Sequence, residues 1–469
     1  MFQISRICAG LLLLILCGNA FGIDKDKKKD KENSLDAKPA PPMGWNSWDC
    51  LGFEITEEQV IQVADYMAEH LKDFGWEYLV VDLGWYYSPE VKTTMADVYQ
   101  PSQSLDAYGR LIPNTDKFPS AKNGQGFKYL ADYVHSKGLK FGIHIMRGIP
   151  WNAVDQDLPI KDSKYTAKQI FNFADTCKWN SSMYGVNTDI PGGIDYYNSI
   201  VDLYSSWGVD FIKADNMLSP INKKEIKTLS EAINAAERSM MLSLSPGPAQ
   251  TRDHEFLDAN ANMWRVSNDF WDHWDFVLKQ IDLYRNWKKY DIKVGHPDLD
   301  MLPFGKLRIT GGDDWVASLI KDTSGNIGNE YSRFSEEEKK TVMSVWCMFA
   351  SPLFMGGYLP ENDHHTLGLL TNDEVIQVNK TAYNQKEVKH NESFSVWTSN
   401  IKGEEGKYLA VINTDAENKT LVLNTNRFWK EKNGVVRDLW GKKNIGDLEK
   451  TLSITVPPHG TALYKISAK

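Results

Sequence analysis

An α/β chain, built as a (β/α)8 TIM barrel with a C-terminal antiparallel β-sandwich behind it, is what this sequence predicts. Three observations carry the expectation. Short apolar segments alternate with amphipathic helical patterns from Pro41 to about Lys380, the mark of parallel strands joined by crossover helices. Polar residues close most of those apolar segments, as the mouth of a barrel requires. Past Lys380 the apolar period falls to two between turns rich in Asn, Gly and Asp, the pattern of a sandwich.

Taken in order, the chain begins with Arg6 ahead of the apolar run Ala9 to Cys17, followed by the small residues Ala20 and Gly22. This reads as an export signal over residues 1–22, removed from a periplasmic or secreted product. A lipid anchor at Cys17 is the secondary reading, since Leu16 stands where acylation sites want a small residue. Residues 23–36, almost all Lys, Asp and Glu from Asp24 to Asn33, read as a solvated linker. The barrel is expected over 37–380 and the sandwich over 381–469.

Eight strands are expected at Met43–Trp48, Tyr78–Trp85, Leu139–Met146, Val209–Asn216, Met240–Ser245, Met263–Ser267, Asp298–Leu302 and Pro352–Gly357. Helical patterns lie at Thr56–Phe74, Gly126–Lys137, Ile194–Gly208, Lys223–Arg238, Trp271–Trp287 and Ser335–Phe349, the first opened by a capping box at Thr56 and Gln59. A doubly wound open sheet is the competing fold. It wants a Gly-rich phosphate loop after an early strand, and none is present. Two long inserts, 150–193 and the one beginning at Gly311–Trp315, are expected to shape the mouth, the first as a lid.

Composition narrows the chemistry. A formal net charge of -9 argues against nucleic acid as a partner, and after the signal no apolar run is long enough to cross a bilayer. Of five cysteines only Cys50, Cys177 and Cys347 lie outside the signal, too few for a disulfide framework. Sixteen tryptophans exceed ordinary usage and hint at sugar stacking, although most serve a core. No histidines are paired at ligand spacing, so a metal-dependent hydrolase is set aside and no cofactor is expected.

In the stretch Val209–Met217 the apolar strand ends in Lys213 and Asp215, two residues apart and therefore on one face. An ammonium beside a carboxylate keeps it ionised, which suits a nucleophile as well as it suits a plain ion pair. Asp82, His144, Arg147, Ser245, Arg265, Asp269, Asp298 and Asp300 fall at or near the carboxyl ends of other strands. Asp269 lies just past its strand, where capping the next helix is the competing role. Paired across the mouth, Asp215 and Asp269 would suit glycosidic cleavage. One carboxylate attacks the anomeric carbon and the other protonates the leaving oxygen, the two about 5 Å apart in a retaining enzyme.

Pro42-Met43-Gly44-Trp45-Asn46-Ser47-Trp48, the strand Tyr78 to Asp82, Lys213-Ala214-Asp215, the stretch Trp264 to Asp269, Asp300-Met301 and Ser351 to Met355 together resemble glycoside hydrolase family 27, the melibiases. The resemblance implies metal-free retaining hydrolysis of terminal α-D-galactosides or α-N-acetylgalactosaminides on oligosaccharides or glycoconjugates. It implies Asp215 as nucleophile and Asp269 as acid/base, with Trp45, Asp82, Lys213, Arg265, Asp300 and Met301 lining the sugar pocket. His144 stands where the family often has tyrosine and is expected to be a pocket polar group.

Departures from the family pattern bear on substrate. A second aspartate usually follows the one at Asp82 and helps hold the axial and primary hydroxyls of galactose; here Leu83 takes its place. Gly84 and Met217 replace cysteines common in the family. Ser245 stands where galactosidases tend to have glutamate, which opens the pocket at C2. An α-galactosidase is therefore the first expectation, with α-N-acetylgalactosaminidase or β-L-arabinopyranosidase as alternatives on the same site. A catalytically inactive glycan-binding protein is the alternative of another class, disfavoured by the intact Lys213, Asp215, Arg265 and Asp269.

Overall fold

The computed structural model describes residues 38–91, 101–307, 330–430 and 433–469. The expected signal, the linker, Cys17 and the Gly311–Trp315 insert lie outside the described residues. Eight parallel strands form the barrel: β1 Met43–Asn46, β2 Tyr78–Val81, β3 Lys140–Met146, β4 Phe211–Asp215, β5 Met241–Leu244, β6 Met263–Arg265, β7 His296–Asp298 and β8 Leu353–Met355. Neighbours follow chain order, and β8 returns to pair with β1. Closure between β7 and β8 is made by a bridge from Leu302 to Met355, with the Leu302 N–H donating to Phe354 O at 2.7 Å.

The strands are mostly shorter than expected, although Asn46, Asp215, Arg265 and Asp298 still close theirs. β7 also begins two residues early, at His296. Period-two alternation sorts the side chains. Along β4, Phe211 and Lys213 line the hollow of the barrel, while Ile212 and Ala214 join the core beneath the helices. Gly44 fits because its strand runs tight against β2; a Cβ there would meet Tyr78 O at 2.2 Å.

Helices cover the outside as the 3.6 period requires. The first, Glu57–His70, carries the expected capping box, with Thr56 N–H donating to Gln59 Oε1 at 2.9 Å. The helix expected from Trp271 begins instead at Trp274, with His273 at the N-cap. The 150–193 insert is built from secondary structure: a three-stranded sheet of Ile149–Pro150, Phe171–Thr176 and Met183–Val186, with two short helices, ahead of the long helix Pro191–Trp207.

Among the described residues the C-terminal part contains eight antiparallel strands where six were expected. The additional ones are Ala382–His390, polar and broken by register shifts, and the fully exposed Lys443–Asp447. They form a sheet of six strands and a ribbon of two that bury a separate apolar cluster between them. The helix Glu336–Met348 is buried continuously from Thr341 to Met348 because the barrel and the sandwich both lie against it. His459 stacks on Trp274 at 4.0 Å, and its Nδ1 lies 2.7 Å from Glu338 Oε1. Trp440 Nε1 donates to Ser344 Oγ at 3.0 Å.

Candidate active site

Charged and polar side chains gather at the carboxyl end of an apolar hollow floored by Phe211, Met263 and Phe354. The cavity at that end is lined by Asn46, Lys213, Ser243, Ser245, Arg265, Asp298, Asp300 and Met301 above those three. Of the residues expected at the site, Lys213, Ser245, Arg265, Asp300 and Met301 therefore line it. Trp45 and His144 are fully buried, Asp82 and Asp215 nearly so, and none of the four is among the lining side chains.

Two linked clusters hold the carboxylates. In the first, Asp82 Oδ2 accepts from Lys213 Nζ at 2.7 Å and from Asn46 Nδ2 at 2.6 Å, while Oδ1 accepts the Leu83 N–H at 2.7 Å. Burial alone would raise the Asp82 carboxyl, but Lys213 and His144 override it and hold it at about 2. Burial alone would likewise lower Lys213; the charges of Asp82, Asp215 and Asp300 raise it instead. The direct partner of Lys213 is thus Asp82 rather than Asp215, whose field it still feels. Asp215 Oδ2 lies 3.0 Å from His144 Nε2, and Asp215 Oδ1 accepts the Asn216 N–H at 2.9 Å.

Arg265 anchors the second cluster. Its Nη2 is 2.8 Å from Asp300 Oδ2 and 3.1 Å from Asp269 Oδ1. Its Nε, buried, has no partner among the described residues. Burial, with repulsion from Asp269 and Asp298, pushes the Asp300 carboxyl up to about 7 against the pull of Arg265. Burial also raises Asp298. Asp269 caps no helix, since the next one starts beyond His273; its side chain is 35 % exposed, at the rim.

Sequence reasoning did not place Asn46 or Ser243 at the site. Asn46 was legible as the polar end of β1, and Ser243 as the residue two before Ser245 on the same face. Gly84 has φ +120, and a Cβ there would lie 2.8 Å from the Phe53 backbone. Cysteine at that position would need a shifted chain. Cys50, Cys177 and Cys347 are buried free thiols.

Comparison with known proteins gives the class of this parallel barrel with its acidic, guanidinium-braced mouth. The family model described as Alpha galactosidase A matches residues 40–152 and 179–381, and the Alpha galactosidase C-terminal beta sandwich domain matches 391–466. The chain belongs to this family, the melibiases of glycoside hydrolase family 27, and is a retaining exo-glycosidase of that type. It is similar to a family 27 β-L-arabinopyranosidase from Geobacillus stearothermophilus, at 40% identity and TM-score 0.85, over 92% of this chain and 96% of that one. Among curated relatives, Alpha-galactosidase 2 of Arabidopsis thaliana is 27% identical over 92% of this chain and 90% of its own length. An Alpha-galactosidase of Oryza sativa is 25% identical over 94% and 87%.

Proposed function

We propose that this chain removes terminal β-L-arabinopyranosyl groups, in preference to α-D-galactosyl groups, by double displacement with Asp215 as nucleophile and Asp269 as acid/base. The observation that carries the choice of sugar is Leu83. A β-L-arabinopyranoside has the ring stereochemistry of an α-D-galactopyranoside without the exocyclic hydroxymethyl group. A pocket for it has no primary hydroxyl to hold, so the second carboxylate loses its purpose. Leu83 is apolar and 3% exposed, and Asp82 is the single carboxylate left at that strand end. A site that lacks the acceptor for a hydroxyl gives up discrimination in favour of the sugar that carries it. The likeness to the Geobacillus stearothermophilus arabinopyranosidase supports the same choice.

In this reading, Asp215 attacks the anomeric carbon. The departing oxygen takes its proton from Asp269, whose rim position gives access to the leaving group and then to water. Arg265 Nε donates to a ring hydroxyl through a charge-assisted bond, and Asp82, held ionised behind the cavity wall, orders Lys213 and Asn46, which line it. Lys213 fixes Asp82, while Met301 supplies apolar contact and Ser245 leaves room at C2. Trp45 acts from behind the pocket, its indole Nε1 tied to Gly357 O at 2.8 Å.

Chromogenic β-L-arabinopyranoside, α-D-galactopyranoside and α-N-acetylgalactosaminide, compared by kcat/KM, test the proposal. The arabinopyranoside is expected to lead by about tenfold or more. A galactoside that leads would overturn the choice of sugar, and an N-acetylgalactosaminide that leads would assign Ser245 the deciding role.

A further inference from the structure

His144 is the one site residue whose surroundings suit neither sugar binding nor simple packing. It lies on β3 in register with Lys213, and Met146, two residues on, is in register with Asp215. Its ring is fully buried and contributes nothing to the cavity lining. Trp85 Nε1 holds its backbone carbonyl at 2.8 Å. Among the described residues Nδ1 has no partner, and Nε2 has one, Asp215 Oδ2 at 3.0 Å. The carboxylate oxygen has no proton to give, so the ring nitrogen facing it carries the hydrogen and donates. Among the described residues the one hydrogen bond of this imidazole goes to Asp215; beyond it, the ring only helps Lys213 hold Asp82 ionised.

Resting on the assignment of Asp215 as nucleophile, we propose that His144 is a positioning residue that governs release of the glycosyl-enzyme, by donating from Nε2 to the carboxylate that must leave. In the first step an Asp215 oxygen bonds to the anomeric carbon, the bond to the aglycone oxygen breaks, and that oxygen takes the Asp269 proton. The carboxylate becomes an ester and loses its charge, which weakens the bond from His144. In the second step water bonds to the anomeric carbon and passes its proton to Asp269. The carbon–Asp215 bond breaks with its electron pair returning to the carboxylate, and the bond from His144 strengthens as charge returns. The donor therefore helps the second step and slightly restrains the first. Asn216 N–H, at φ +59, serves the other oxygen and keeps the carboxylate plane fixed while His144 acts.

The test uses His144→Phe and His144→Gln in the full chain, with an activated aryl glycoside for which the second step limits turnover. In His144→Phe, kcat and KM are expected to fall together by about 10- to 100-fold, with kcat/KM nearly unchanged. Stopped-flow should show a burst approaching one equivalent, and rapid acid quench with peptide mass spectrometry should find the ester on Asp215. Glutamine, which keeps an N–H donor, should recover part of kcat. A fall in kcat/KM at unchanged or raised KM overturns the inference in favour of sugar binding or packing, as does glutamine no better than phenylalanine. An ester on Asp215 that fails to accumulate in the phenylalanine variant sinks only the role of His144. An ester on another residue sinks the assignment of Asp215 with it.

Discussion

Replacing Lys213 by methionine probes the electrostatic frame of the barrel mouth. Methionine keeps much of the aliphatic stem and deletes the charge, leaving the buried Asp82 with Asn46 Nδ2 and the Leu83 N–H as its donors. Removing one partner of a buried pair costs about 3–5 kcal/mol, and two surviving bonds to the carboxylate place the loss near the lower end, about 3 kcal/mol. At an unfolding entropy of about 2.1 cal/mol/K per residue, a unit spanning Lys38–Lys469 loses about 3–4 °C in Tm. The loss depends on pH. Asp82 is held at about 2 in the parent chain, but without the ammonium its burial raises it above the ordinary carboxylate value. A carboxyl raised on folding contributes stability that is present below its unfolded pKa and lost as pH rises through its folded one. The Tm gap between parent and variant is therefore small near pH 4 and full near pH 7. Calorimetry across that range measures it, and a Lys213→Met, Asp82→Leu double variant should recover most of the loss, because neither charge is then left buried alone. A gap that ignores pH, or a double variant weaker than the single one, refutes the reasoning.

Three further outcomes are expected. Asp269→Asn should lower kcat/KM on natural glycosides by about 10²- to 10⁴-fold and on activated aryl glycosides far less, since a good leaving group needs no proton; equal losses on both would count against an acid role. Leu83→Asp should raise the ratio of α-D-galactoside to β-L-arabinopyranoside kcat/KM by about tenfold or more, read within one protein so that any loss of stability cancels. Asp300, raised to about 7 by burial, stabilises the fold fully below pH 4 and loses that contribution as pH climbs to about 7; in Asp300→Asn the decline in Tm over that window should flatten.

Much of the barrel was legible because each strand announces itself twice, by an apolar run and by the polar residue that ends it. Lys213 and Asp215 were visible at a glance on that ground. Which groups they touch was not, because alternation along one strand fixes the face of a side chain and says nothing about its neighbours on other strands. Asp82 reaches Lys213 across β3, and His144, on β3 itself, takes Asp215. The capping role weighed for Asp269 depended on where the next helix starts, and element boundaries are what pattern reading places least well. The strands Ala382–His390 and Phe171–Thr176 went unrecognised for a related reason. Both are poorly buried and interrupted by register shifts, so neither carries the sustained alternation of a half-buried strand.

The helix Glu336–Met348 carries a lesson for anyone who would shorten this enzyme. Its inner turns satisfy two neighbours at once, and cutting the chain after Thr381 would strip one of them away, exposing Trp274 and leaving Glu338 and Ser344 without His459 and Trp440. The catalytic half is thus no portable cassette. Transplants, fusions and circular permutants will keep their activity only when both halves travel together.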